Sequence, residues 1–489
     1  MMDEPKFGAI PRVNLGALNM ALYIAIALGL ISPNPLESAF VIMQLKFILH
    51  KEWKQNIPPV TVLLFLFPWL EISAAVFEAN FRGITLNEML HGTGRTAYWL
   101  SAVGLYCVMW GFNTVMKKVK LPDIEAIKSQ ASRFSLTRLI ALFFLIGPFT
   151  SVIARFVGRG VLYQFVTYLN ELSVVLLIAI CLRQIALKQI NTMFIGFLSV
   201  VTVLSFYSLF SSWKVVAFAL FISMGTATRL SGTMVRRIVF LSLVFGNLIF
   251  LWQGIKGEYR GYITGSGDAG ALISQRVVVD RKDALAKFFE LSQRFYFDDA
   301  ETTVNENIGS DDELLLHTLR RAGYLEFFSL VLNKVPSEIN HENGRLLAES
   351  LSFALIPRFL YPNKGVKDDG AKVERYTDFR VSKTASFSLG HYVEYFIDFK
   401  ALGMMVVLLM YGWVGGKILQ FIVTREFIAQ SVIFALPIAY VCLDKWGQFQ
   451  ADTVYAYGQT FWGSVCHAVL FIPIYRAIGR IAKAPLDES

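Results

Sequence analysis

Residues 401–422 read ALGMMVVLLMYGWVGGKILQFI, a run interrupted by one charge, Lys417. As an α-helix such a run crosses about 30 Å of hydrocarbon, because about 20 residues rising about 1.5 Å each span that depth with every backbone group paired internally. Comparable stretches recur at 13–32, 35–49, 58–77, 98–116, 138–158, 161–182, 190–211, 213–228, 236–254, 427–444 and 454–475, of which 35–49, 213–228 and 427–444 are the weakest. The chain therefore reads as an all-α integral membrane protein of about 12 transmembrane helices. Composition agrees: 55% of the 489 residues are hydrophobic and 17% charged, against about 45–50% and about 25% in soluble domains. That balance excludes a soluble enzyme, a disordered tail and a disulfide scaffold. Cys107, Cys181, Cys442 and Cys466 all lie in or beside apolar segments, so no cysteine-based framework or zinc site is expected.

The net charge of +9 has to be read loop by loop. Basic residues gather at Lys51/Lys54, from Lys117 to Arg138, at Arg183/Lys188, at Arg229/Arg236/Arg237, at Arg425 and at Arg476/Arg480/Lys483. With twelve crossings all of these fall on one side, which the positive-inside rule makes cytoplasmic, together with both termini. No small-residue cleavage site follows the first apolar run, so a retained span is expected there. Three regions follow: 1–254 with helices one to nine, 255–400 as a large extracytoplasmic loop domain, and 401–489 with helices ten to twelve and a cytoplasmic C-terminus. The loop has slightly more acidic than basic residues, so it offers no general surface for nucleic acid. Ser310-Asp311-Asp312-Glu313 has capping-box spacing and opens one helical pattern that Pro336 closes. A second amphipathic pattern starts at Gly344, and Lys364 to Lys383 reads as a polar loop.

Cations at the outer boundary run against the positive-inside bias. Arg155 and Arg159 end the fifth span, Lys214 sits in Phe210-Ser211-Ser212-Trp213-Lys214, Arg260 closes Lys256-Gly257-Glu258-Tyr259-Arg260, and Arg320/Arg321 lie on the longest loop helix near His317. Singly, each is explained by snorkelling or headgroup pairing, and Arg320/Arg321 by a solvated face balanced by Asp312, Glu313 and Glu326. As a set they suit an anionic headgroup, because guanidinium forks match phosphate oxygens. Arg358, between Pro357 and Pro362 in an apolar segment, is a structural pin or a phosphate ligand. His391 and Glu394 are three apart and share a helix face, where either is placed to take a proton from a sugar hydroxyl. Glu71 and Glu171 are intramembrane acids, which fit a proton or ion relay. His341-Glu342 fits no metal-binding spacing, and no nucleotide, dinucleotide or hydrolase motif occurs, so neither metal nor cofactor is expected.

The arrangement resembles the bacterial polysaccharide polymerases called Wzy and, more distantly, the O-antigen ligases. The resemblance rests on Ser211-Ser212-Trp213-Lys214, on Lys256 to Arg260, on Arg320 to Gly344, on Leu355-Ile356-Pro357-Arg358 and on Gly390 to Gly403. Arg260 to Gly270 falls one residue short of the family's arginine-to-glycine spacing. The resemblance implies a GT-C-like, metal-independent glycosyltransferase of the inner membrane with its loop in the periplasm. There it joins repeat units carried on undecaprenyl diphosphate, which departs as leaving group. It implies Arg260, Arg320, Arg321, His391 and Glu394 as catalytic residues and Lys214, Arg155, Arg159, Lys256, Tyr259 and Arg358 as the diphosphate and substrate site, with Tyr262, Tyr324, Tyr361 and Tyr392 as further sugar-stacking aromatics. Its partners would be lipid-linked glycans, membrane lipids, a chain-length regulator and a flippase, but no nucleic acid. The alternatives are an O-antigen-type ligase and a transporter of polysaccharide or lipid-linked sugar.

Overall fold

The structure, a computed structural model, describes residues 15–54, 59–117, 124–157, 161–205, 213–227, 232–264, 279–297, 311–356, 369–380, 388–424 and 432–484. The first part of the chain forms α1 (Leu15–Gly29), α2 (Pro35–Lys54), α3 (Pro59–Phe81), the single turn α4 (Leu86–Met89), α5 (Gly94–Met116), α6 (Ile124–Ala131), α7 (Leu136–Val157), α8 (Val161–Ala186), α9 (Thr192–Ser205), α10 (Trp213–Ala227) and α11 (Gly232–Thr264). Next come α12 (Arg281–Phe297), α13 (Asp311–Ala322), α14 (Leu325–Lys334), α15 (Arg345–Leu355) and α16 (Asp369–Thr377). The chain returns in α17 (His391–Thr424), α18 (Val432–Leu443), α19 (Thr453–Val465), a π-turn (Cys466–Leu470) and α20 (Ile472–Ile481).

Each of the twelve apolar stretches contains a helix among its described residues. Among the described residues five helices are able, by length and composition, to cross a membrane: Leu64–Phe81, Gly94–Met116, Phe165–Ala186, Phe240–Ile263 and His391–Thr424. Thr453–Leu470 and Ile472–Ile481, bent by 54°, count as a sixth if they form one span. Five more apolar helices are shorter, among them Leu136–Gly147 and Ile433–Leu443. The protein is an all-helical, multi-pass membrane protein.

Its centre is the pairing of α5 with the second half of α17. Lipid-embedded helices gain little from hydrophobic transfer and associate through close backbone packing, which small residues permit. A Cβ on Gly412 would lie 2.0 Å from the Val108 carbonyl oxygen, and one on Gly111 2.0 Å from that of Leu409. Gly104 meets Leu408 and Gly416 meets Phe112, so the register advances in the same sense along both helices and they run parallel. Parallel entry requires the chain to cross an even number of times between residues 94 and 400. Residues 90–93 and the segment before α17 therefore share one face of the membrane.

On that face the loop helices dock by hydrogen bonds. The Ser329 hydroxyl on α14 donates to the Leu90 carbonyl (2.6 Å), and the Asn333 amide to that of His91 (3.1 Å). Asp398, just before the break in α17 at Lys400 (φ 61°), accepts from the backbone N–H groups of Leu346 (3.0 Å) and Leu347 (2.7 Å) and so caps α15. The single helix expected from Asp311 to Pro336 is two, because the Tyr324 N–H leaves the helix to donate to the Glu71 carbonyl at 3.0 Å. The 33-residue α11 stands at the rim: only 17% of its apolar window is buried, and its far end builds a small separate core with α12 from Trp252, Ile255, Tyr259, Phe288 and Leu291.

Candidate functional site

Four of the expected cations converge on the face that carries the loop helices. Lys214 opens α10, Lys256 and Arg260 stand one helical turn apart near the end of α11, and Arg321 comes from the last turn of α13. Lys256 feels the charges of Arg321, Arg260 and Lys214, and Lys214 those of Arg260 and Arg321. Among the described residues no carboxylate lies within ion-pair distance of Lys214, Lys256 or Arg321. Arg321 is exposed as a residue, yet partial burial of its guanidinium holds it below its ordinary value. The Lys256 ammonium donates to the Gln253 side chain, and the Arg260 guanidinium lies 5.8 Å from the centre of the Trp252 ring. Glu258, between the two α11 cations in sequence, points to the opposite side, where it pairs with Arg294 and with Lys287 (3.4 Å). Helical periodicity thus separates the acid from Lys256 and Arg260, leaving positive charge concentrated on one face. Repulsion among four close cations is costly, and a polyanion relieves it.

Arg320 does not join this group. Its guanidinium is 61% exposed and pairs with Glu326 at 3.3 Å. Arg155 lies in the last turn of α7 with its side chain outside the described atoms, and Arg159 and Arg358 fall outside the described residues, as does Tyr361. Tyr259 is buried in the small core between Trp252 and Phe288 and does not face the cations as a stacking surface. Tyr262 is exposed, with the Lys287 ammonium 5.9 Å from its ring centre.

His391 and Glu394 share a face, as their spacing requires, but neither is solvent-facing. Glu394 is 1% exposed and bound by Lys372 of α16, whose ammonium also lies 3.6 Å from Asp452 and 3.8 Å from Asp369. Burial works against charge on Lys372, yet the three carboxylates together hold it above its ordinary value. The second Glu394 oxygen, Oε2, has no hydrogen-bond partner. Beside it the Tyr395 and Tyr457 hydroxyls meet at 2.8 Å. His391 sits among rings, 5.0 Å from those of Tyr392 and Tyr411, with Nδ1 unpaired. Tyr392 and Tyr324 pack against Phe449 inside the core.

The two intramembrane acids part company. Glu71 accepts from the backbone N–H groups of Phe449 (2.6 Å) and Gln450 (3.3 Å), which makes it a structural anchor for the turn after α18. Glu171 instead meets side chains: Gln459, and His467 at 3.0 Å. Lys372, Asp452 and His467 were not singled out by the sequence, because each gains meaning only from a partner at least 22 residues away. A lone lysine in a polar loop and a lone histidine in an apolar run carry no pattern.

Among the described residues no group of three or more His, Cys, Asp or Glu is placed to hold a metal ion. No protein-family model, curated protein or solved structure matches the chain.

Proposed function

We propose that the chain is a lipid-carrier-dependent glycosyltransferase that polymerises undecaprenyl diphosphate-linked repeat units at the periplasmic face of the bacterial inner membrane. In this reading about 12 spans are arranged as in GT-C enzymes, with residues 255–400 in the periplasm. The observation that carries it is the convergence of Lys214, Lys256, Arg260 and Arg321 on the face where the loop helices dock, with no carboxylate among the described residues within ion-pair distance of Lys214, Lys256 or Arg321. Such a group suits a diphosphate better than a single carboxylate, since four cations exceed the charge of one acid.

The acceptor hydroxyl attacks the anomeric carbon of the donor glycan, and the anomeric carbon–oxygen bond breaks. The electron pair leaves with undecaprenyl diphosphate, whose developing charge the cations stabilise. Glu394 is the proposed base, through the oxygen that Lys372 does not engage.

The test is purified protein in nanodiscs with undecaprenyl diphosphate-linked repeat units and neither nucleotide nor metal, read by mass spectrometry. Glycan extended by whole repeats is expected. Transfer to lipid A core instead would replace the polymerase with a ligase. Movement of lipid-linked sugar without any new glycosidic bond would favour a transporter, a reading that the buried Glu171–His467 pair supports.

A further inference from the structure

A second polar cluster lies deep among the helices, away from the cationic group. Glu171 projects from α8 and His467 from the π-turn that follows α19, where the helical repeat widens by one residue. Such turns are rare and concentrate at functional positions. Here the turn brings the imidazole to Glu171: Nε2 lies 3.0 Å from Glu171 Oε2, while Nδ1 lies 2.7 Å from the Tyr475 hydroxyl of α20. Gln459 of α19 holds the other Glu171 oxygen. His467 is fully buried, Tyr475 nearly so, and Glu171 is 21% exposed, so the chain of groups has one end at the surface of the helix bundle.

The surroundings fix the charge balance. The turn after α18 supplies Asp444 and Lys445, paired at 2.9 Å, and the Lys445 ammonium is also attracted by Glu171. Tyr440 of α18 donates to Asp444. The other ionisable groups that feel Glu171 are uncharged phenols and thiols: Tyr168 on α8 itself, Cys442 of α18, Tyr455 of α19 and Cys466 of the π-turn. From the other helices packed on α8, Lys214 of α10 belongs to the cationic group, and Arg138 of α7 donates to the Ile481 and Lys483 carbonyls. Two carboxylates and one ammonium leave the cluster with one net negative charge when His467 is neutral. Uncompensated charge in a water-poor interior is expensive, and one proton removes it.

We propose that Glu171, His467 and Tyr475 form an intramembrane proton-binding site that holds a single proton shared between the Glu171 carboxylate and the His467 imidazole. Glu171 is its outermost member, and Tyr475 fixes the ring by its hydrogen bond to Nδ1. The inference does not depend on glycosyl transfer.

The experiment is a pH titration of full-length protein in nanodiscs, with 15N-labelled histidine followed by NMR and carboxyl vibrations by infrared spectroscopy. The His467 signal is assigned by its loss in His467→Gln. Wild type is expected to show either an imidazolium at His467 or a protonated-carboxyl band that Glu171→Gln abolishes. In Glu171→Gln, which removes one negative charge, His467 should be neutral at the pH where wild type is protonated. Lys445→Met should move protonation of the pair to higher pH, because it removes a positive charge that attracts Glu171. The two variants shift the site in opposite directions, so the outcome stays decisive if one of them fails to fold. A wild-type cluster with neither signal at neutral pH would overturn the proposal, as would a carboxyl band that survives in Glu171→Gln or, in Lys445→Met, an unchanged titration of whichever group carries the signal.

Discussion

Adjacent arginines on α13 are both exposed but meet different charges. Arg321 belongs to the group with Lys214, Lys256 and Arg260, whereas Arg320 pairs with Glu326 in solvent. Removing one of several preorganised donors from a developing charge costs about 100-fold in rate or more. An exposed ion pair contributes only about 0.2–1 kcal/mol. Polymer synthesis by Arg321→Ala should therefore fall about 100-fold, and that by Arg320→Ala should stay within about threefold of wild type. Equal losses from the two variants at matched protein levels would sink the assignment. Glu342 offers a pH test on the loop: hydrogen bonds from Arg345 and Tyr376 lower its carboxyl from 4.5 to about 2. A carboxyl depressed in the folded state contributes stability that is present above the unfolded value and is lost as pH falls through the folded one. The melting-temperature gap between wild type and Glu342→Gln should be widest above about pH 5 and close near about pH 2.

At the scale of elements, glycine separates the central pair of helices from the rim. Gly412 leaves no room for a side chain against the Val108 carbonyl, and Gly246, on the exposed α11, has nothing within 4 Å of the position a Cβ would take. Gly412→Leu should abolish folded, monodisperse protein in size-exclusion chromatography. Gly246→Ala should leave it intact and raise stability by about 0.5–1 kcal/mol through the helix preference of alanine. Helix α16 places the Arg375 and Tyr376 side chains on Glu342 and the Lys372 ammonium on buried Glu394. Lys372→Met leaves that carboxylate near Asp452 without its cation and should destabilise the protein by about 3–5 kcal/mol in denaturant titration. A loss under about 1 kcal/mol would mean that water reaches the pair.

For the whole molecule, the parallel entry of α5 and α17 and the loop contacts at Leu90 and His91 place residues 82–93 and the loop helices on one side. The basic ends of α7, α8 and α20 gather on the other: Arg138 binds the Lys483 carbonyl at 2.7 Å and Arg183 that of Phe134 at 2.5 Å. Arg380 is 92% exposed, and three of the native cysteines are buried. A membrane-impermeant maleimide should label Arg380→Cys in intact spheroplasts and Lys128→Cys only after permeabilisation. The reverse pattern would invert the topology.

Sequence alone determined that the chain is helical and lives in a membrane, because a run such as 401–422 satisfies its backbone only as a helix and its side chains only in lipid or protein. It also named Lys214, Arg260 and Arg321, since cations expected on the outer side contradict a local charge rule that needs no partner to be read, and it named Lys256 through the stretch that carries the resemblance. It could not sort Arg321 from Arg320, anchor from relay in Glu71 and Glu171, or find Lys372 and His467. Those distinctions depend on contacts between helices far apart in sequence, such as Phe449 on Glu71 and His467 on Glu171. Hydrophobic periodicity places a residue on a helix face, but only the packing of glycine against carbonyl between α5 and α17, and the register it imposes on the rest, decides which charge that face meets.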